Sequence, residues 1–323
     1  MKKVQNILIA GFGDIGKRVA KQLRFSHRYQ VLALVRDTNK LSRDPNLAKS
    51  FGTRLVRGNL SCARSLVNLG GLADAVLHFA PPPGLGKTDS HTKHLLAALG
   101  NTRRQTRLSV RRNAIKRPGM LPRQIVYIST TGVYGNCDGD WVDETRPVHP
   151  ESARAQRRVD AERQLRKWGR LNAVSITILR APGIYAGNRL PLDRLRRLTP
   201  VLRRTEDVFT NHIHADDLAA AAIKAMQQRL PKRFRVFNIV DDNQLRMGDY
   251  FDCVADAFSL PRPPRISRSQ AQDMIEPMLL SFMRESRRIG NARIKRELKL
   301  VLKYPTLASV LSGLQTSIQG TPD

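Results

Sequence analysis

The stretch from Asn6 to Gly16 reads NILIAGFGDIG: an apolar run that ends in three glycines spaced G-x-G-x-x-G, with apolar residues recurring at Ile15, Val19 and Leu23. The first part has the unbroken apolar character of a strand and the second the period of a helix, so the glycines sit at a strand-to-helix turn. Each glycine there has its own task. Gly11 permits the tight bend, Gly13 lets backbone approach a diphosphate, and Gly16 brings helix close to strand, while the first-turn N–H groups around Asp14 and Ile15 point at phosphates. A dinucleotide site is expected here; the alternative is a glycine-rich turn with no ligand.

Working outward, strands are expected at Tyr29–Val35, Arg54–Val56, Ala75–Phe79, Gln124–Ser129 and Ser175–Leu179, with helical patterns between most of them. Alternation of strand and helix implies a parallel sheet. Runs such as VLALV, IVYIS and SITIL are apolar throughout rather than on alternate residues, as in a sheet covered by helices on both faces. The expectation is an α/β fold: a Rossmann-type, doubly wound parallel sheet with a smaller, mostly helical C-terminal substrate domain. Composition changes after Leu179, while an Ala-rich helix over Asp216–Gln228 and a strand over Arg235–Val240 return to the sheet. The nucleotide domain is therefore drawn as 1–186 plus 209–242, and the substrate domain as 187–208 plus 243–318. Within the latter, Pro261 to Pro264 reads as a loop and Asn291 as the N-cap of a helix over Ala292–Leu298.

The 323 residues carry 56 Lys+Arg against 27 Asp+Glu, a formal charge of +29. That field attracts polyanions of any kind. Yet the arginines are spread along the chain, aromatics are 6%, and no zinc-finger, RNA-recognition or helix-turn-helix pattern occurs, so nucleic acid is not the favoured partner. The best polyanion contact is the basic insertion within 101–123, where Arg103 to Arg123 holds no acid; its plainer reading is a solvated loop. No apolar run is long enough to span a membrane and Met1 leads into a strand rather than a signal peptide. Cys62, Cys137 and Cys253 lie far apart without metal-ligand spacing, and read as reduced thiols of a cytoplasmic protein; no metal site is expected.

The second strand ends in Arg36-Asp37, twenty residues past Gly16. An acid there binds an adenosine 2'-hydroxyl, whereas an arginine pairs with a 2'-phosphate. Arg36 comes first, with Lys17 and Arg18 nearby, so NADP is favoured; Asp37 keeps NAD open.

With these residues placed, the chain from about Val4 to Leu314 resembles the extended and atypical short-chain dehydrogenase/reductases, in the NAD-dependent epimerase/dehydratase branch (nucleoside-diphosphate-sugar epimerase-like). Gly58-Asn59-Leu60 is similar to the segment that lies against adenine, with Asn59 in place of the family's acid. Leu77-His78-Phe79-Ala80-Pro81 is similar to the strand end lining the nicotinamide ribose. Ile128 to Gly135, ISTTGVYG, resembles the fifth-strand motif and puts Thr130 at the catalytic Ser/Thr, with Ser129 beside the cofactor. Arg180 to Tyr185 and His212 to Asp217 resemble later family segments. For the cofactor the resemblance implies Ala181 and Gly183 as well; for the substrate it implies Pro82, Tyr185, Arg189 and His214. Homodimers formed through helices flanking the sheet are common in that family.

One departure stands against the match. Family members carry Tyr-x-x-x-Lys on the helix after the fifth strand, and those two places fall on Arg154 and Arg158. Arginine has no acceptor and stays charged, so it cannot exchange a proton near neutral pH. Spaced i, i+4, the two share a helical face that either holds ribose hydroxyls or an anionic substrate, or is simply solvated. Tyr134, His149 and Tyr185 are the nearest other proton donors, Tyr134 being the one set beside Thr130, Arg154 and Arg158 as catalytic. Asp143-Glu144 reads as a loop contact, and His91 and His94 as surface or packing residues. Three functions stay open: an NADP-dependent oxidoreductase or epimerase acting on a hydroxyl or ketone of an anionic substrate such as a nucleotide sugar, a non-catalytic NADP-binding sensor, and a polyanion or RNA binder.

Overall fold

The computed structural model describes residues 4–36, 51–101, 120–228 and 233–319. Asp37 and most of the basic insertion lie outside the described residues. The chain divides into two compact units, one of residues 1–130, 153–180 and 218–237, the other of 131–152, 181–217 and 238–323.

The first unit is built on strands β1 (Gln5–Ala10), β2 (Tyr29–Val35), β3 (Thr53–Arg57), β4 (Ala75–His78), β5 (Gln124–Thr130), β6 (Ser175–Ala181) and β7 (Phe234–Asn238). They form one seven-stranded parallel sheet in the order β7-β6-β5-β4-β1-β2-β3. Register runs Ile7 opposite Val31 on one side of β1 and Ile7 opposite Ala75 on the other. Winding therefore reverses between β1 and β4, and the carboxyl ends of these two strands flank the switch point where doubly wound sheets bind ligands. Leu8, Leu32, Val76, Ile125 and Ile178 share a dry core. Helix α1 (Asp14–Leu23) buries Ile15, Gly16, Val19, Ala20 and Leu23, the stripe its periodicity requires. Helices α2 (Ser90–Gly100) and α3 (Ala153–Leu171) follow β4 and precede β6.

Two strand ends differ from the sequence-based expectation. β4 stops at His78 because the Phe79 and Ala80 N–H groups both turn to the Ala10 carbonyl, at 2.7 and 2.9 Å. β7 stops at Asn238 because the Asn238 N–H donates to Glu144 rather than to a ladder.

The second unit packs Tyr185, Leu195, Phe251, Leu280 and Leu311 into its own core. Its strands are short pairs, parallel for Gly183–Tyr185 with His212–His214, Trp141–Val142 with Arg288–Ile289, and Val201–Leu202 with Arg265–Ile266, and antiparallel for Phe209–Thr210 with Leu245–Arg246. Helices Met247–Ala257, Ala292–Leu298 and Leu307–Gln319 make up much of the rest. Residues 131–152, 181–186, 209–217 and 238–242, expected in the first domain, fall in the second unit. Asn291 does precede its helix, but its side chain donates to the Val240 carbonyl and to Asp242 instead of capping.

Gly11 sits at φ +104, and a Cβ there would lie 2.3 Å from the Ala80 nitrogen. Gly13 is the opposite case, with nothing within 4 Å. Gly11→Ala is expected to cost at least about 2 kcal/mol in urea unfolding, and Gly13→Ala less than about 0.5 kcal/mol. Equal costs would contradict this close approach.

Candidate nucleotide and substrate site

The turn after β1 has the shape a diphosphate needs. Gly11 passes against the backbone of Phe79 and Ala80, and a Cβ at Gly16 would lie 2.9 Å from the Gly11 carbonyl oxygen, so helix and strand are drawn together. Open space surrounds Gly13, which is also the N-cap of α1 and brings no side chain to compete for the first-turn N–H groups. Asp14, the acid in that turn, is paired with Arg18 at 3.0 Å. These residues fit a dinucleotide's phosphates: an open cradle with donors at a helix N-terminus. Arg36 lies exposed beyond the end of β2. Asn59 makes a local turn, its Oδ1 accepting from the Ser61 N–H, while Leu60 is buried and its carbonyl accepts from His94. Phe79 is half-buried, Ala80 buried, Pro81 exposed and Pro82 half-buried.

Beneath the ends of β4 and β5 runs a buried polar chain. Thr92 donates its hydroxyl hydrogen to Asp89 at 2.8 Å, so its oxygen must accept from His78 Nε2, also at 2.8 Å. His78 is therefore the neutral tautomer with Nε2–H. Burial, reinforced by the charge of Arg158 and opposed by Asp89, pulls its pKa down to about 4. Its ring lies 5.0 Å from that of Tyr127, whose hydroxyl burial pushes up to about 12.

Helix α3 carries the next layer. Arg157 donates to the Gly86 carbonyl, Asp160 accepts from the Asp89 N–H, and Arg158 Nη1 donates to the Tyr127 hydroxyl at 3.0 Å and the Ile128 carbonyl at 2.8 Å. Arg158 is thus held against the end of β5 and is not a solvated surface arginine. Arg154 is half-buried one turn earlier. Glu162 accepts the Ser129 hydroxyl at 2.6 Å and both Nε and Nη2 of Arg180. Ser129 therefore faces an internal ion pair, and Thr130, half-buried, is the hydroxyl at the outer end of the strand. The ion pair went unread in the sequence. Arg180 closing the apolar run SITIL was its signal, since a charge on a buried strand requires a partner.

The remaining expected residues belong to the second unit. Tyr134 is 1% exposed and donates its hydroxyl to Asn238 at 2.8 Å. Tyr185 is equally buried; its hydroxyl, without a partner at hydrogen-bond length, faces Asp241, whose carboxyl burial raises to about 7. His214 is buried against Tyr304, with ring centroids 3.9 Å apart. Ala181 is buried, whereas Gly183 and Arg189 are exposed. His149 is exposed beside Glu151, and Glu144 is buried on the Asn238 N–H. Among the described residues no cluster of three His, Cys, Asp or Glu could hold a metal, and no helix is long and apolar enough to cross a membrane.

A family model described as "NAD dependent epimerase/dehydratase family" matches residues 7–239. Among solved structures, a functionally unknown conserved protein from Silicibacter pomeroyi DSS is 26% identical, with 97% of this chain and 99% of that one covered at a TM-score of 0.73. UDP-glucuronic acid 4-epimerase from Bacillus cereus, solved with UDP-glucuronic acid and NAD, is 17% identical over 97% and 99% of the two chains at 0.73. UDP-N-acetylglucosamine 4-epimerase from Bacillus cereus is 17% identical over 98% and 100% at 0.68. No curated protein matches the chain.

The buried histidine has a pH signature. An unfolded His78 takes up a proton near pH 6.5, whereas the native one stays neutral down to about 4. Its contribution to stability is present above pH 6.5 and lost as pH falls towards 4. The urea-unfolding penalty of His78→Gln should therefore shrink by about 3 kcal/mol between pH 7 and pH 4. A penalty that stays constant over that range would contradict the neutral assignment.

Proposed function

The chain belongs to the NAD-dependent epimerase/dehydratase family, and on that premise we propose that it binds NADP and acts on a hydroxyl or ketone of an anionic substrate, a nucleotide sugar being the class that fits best. The observation carrying this reading is the glycine cradle: Gly11 pressed on Ala80, open space at Gly13 and the start of α1 behind it, all at the switch point of the sheet. In this reading the loop from Gly11 to Gly16 holds the diphosphate through backbone N–H groups. Arg36 pairs with the 2'-phosphate, Asn59 and Leu60 lie against adenine, and Phe79 to Pro81 line the ribose next to the nicotinamide. The nicotinamide, when bound, supplies or accepts the hydride. Thr130 donates its hydroxyl to the reacting oxygen of the substrate, and Arg158 holds a neighbouring oxygen. Similar solved structures in complex with NAD support a pyridine nucleotide; the preference for NADP rests on Arg36.

A second reading has its own support. The position of the family's tyrosine holds Arg154, and Tyr134 is buried on Asn238, so neither exchanges a proton with a ligand. A cofactor-binding sensor needs the cradle and no acid. Substrate-dependent change in the reduced-nicotinamide absorbance, tested over a panel of nucleotide sugars and simple carbonyl compounds, separates the two.

For the cofactor, calorimetry should give NADPH binding at least about tenfold tighter than NADH, and Arg36→Ser should remove that difference without weakening NADH. Failure of the folded protein to bind either nucleotide would overturn the reading. Equal affinities would remove only the choice of NADP.

A further inference from the structure

Arg158 is anchored through one nitrogen only. Both hydrogens of Nη1 are used, on the Tyr127 hydroxyl and the Ile128 carbonyl, and the guanidinium lies 5.5 Å from the Tyr127 ring centre. Nε and Nη2 find no acceptor among the described residues, and neither belongs to the buried polar atoms that lack a partner. They form the planar two-donor edge of the guanidinium, which matches two oxygens of one oxyanion. Arg180 shows in the same unit what that edge takes: its Nε and Nη2 grip both oxygens of Glu162, at 3.2 and 2.7 Å.

Among the described residues, no carboxylate is hydrogen-bonded to Arg158. Glu162, one turn further along α3, is spent on Arg180 and Ser129; Asp89 is spent on Thr92. Arg154, one turn earlier on the same face, adds a second positive charge to that end of the helix. The edge is presented at the end of β5, two strands from the glycine cradle and on the β4 side of the switch point. A ribose diol satisfies such an edge incompletely, because its own O–H hydrogens find no acceptor on arginine. A carboxylate offers acceptors alone.

We propose that Arg158 is a specificity residue whose Nε and Nη2 take a carboxylate carried by the sugar of the substrate, so that the protein prefers uronic-acid nucleotides to their neutral counterparts. Tyr127 is its positioning residue, setting the direction of the edge through one hydroxyl. This deepens the nucleotide-sugar reading and rests on it.

The test is calorimetry on the full chain with NADPH present, using UDP-glucuronate and UDP-glucose as probes and thermal melting to verify the fold of each variant. The unaltered protein should bind UDP-glucuronate at least about tenfold more tightly. Arg158→Gln should abolish the preference, UDP-glucuronate losing at least about tenfold more affinity than UDP-glucose. Arg158→Lys, which keeps charge but loses the planar edge, should keep only part of it. Tyr127→Phe, which deletes a single oxygen from the core, should reduce the preference with Arg158 intact. Equal affinity of the two probes, a preference surviving in Arg158→Gln, or equal weakening of both probes in that variant would each overturn the inference while leaving the nucleotide-sugar reading in place. If NADPH binds and neither UDP-sugar does, the substrate reading fails and this inference falls with it.

Discussion

The backbone of Gly11 has to pass the backbone of Phe79 and Ala80 at a distance that no side chain survives. Two segments leave the sheet there, one after β1 and one after β4, and the Ala10 carbonyl ties them by accepting from both Phe79 and Ala80. This junction sets the switch point of the sheet and the position of α1. It also sets the width of the cradle around Gly13. The requirement is steric, so it needs glycine and nothing else, and it can be met whatever chemistry the neighbouring strands carry.

Helix α3 decides that chemistry. Along one helix Arg157 secures Gly86, Arg158 is fixed to Tyr127 and Ile128, Asp160 caps the approach to α2, and Glu162 closes an ion pair with Arg180. Removing one partner of a pair as buried as Glu162 and Arg180 costs about 3 to 5 kcal/mol, because the other charge is left without solvent or counter-ion. The helix cannot rotate without breaking these contacts together. Arg158 therefore holds a fixed position relative to the end of β5, which a surface helix of the same composition would not guarantee.

What the sequence made legible follows from the range of each signal. The strand-helix turn at Gly11, the apolar strands and the stripe Ile15, Val19, Leu23 are local patterns, and each element stands where its pattern put it within two residues. The strand ends at His78 and Asn238 were not legible, because bonds to Ala10 and Glu144, far along the chain, terminate them. Arg158 shows the same limit more sharply. In RAQRRVDAERQLRKW its local context is that of a solvated, arginine-rich helix, and only the fold brings Tyr127 to it. Tyr134 is the converse: a motif places it beside the chemistry, while its hydroxyl is committed to Asn238.

In the proposed alignment, Arg154 and Arg158 stand where the family has a tyrosine and a lysine, and that would separate two roles that the family joins. Holding oxygens needs donors in fixed places, and a guanidinium tied by one nitrogen supplies them as well as an ammonium does, with a second edge to spare. Moving a proton needs a group that titrates near the working pH, and arginine does not. In the proposed function the glycine cradle, the fixed edge of Arg158 and the Thr130 hydroxyl together form a site that recognises and orients. Any proton such a site exchanges has to travel through a hydroxyl or a water held by these donors. On that reading, binding strength and turnover depend on different atoms.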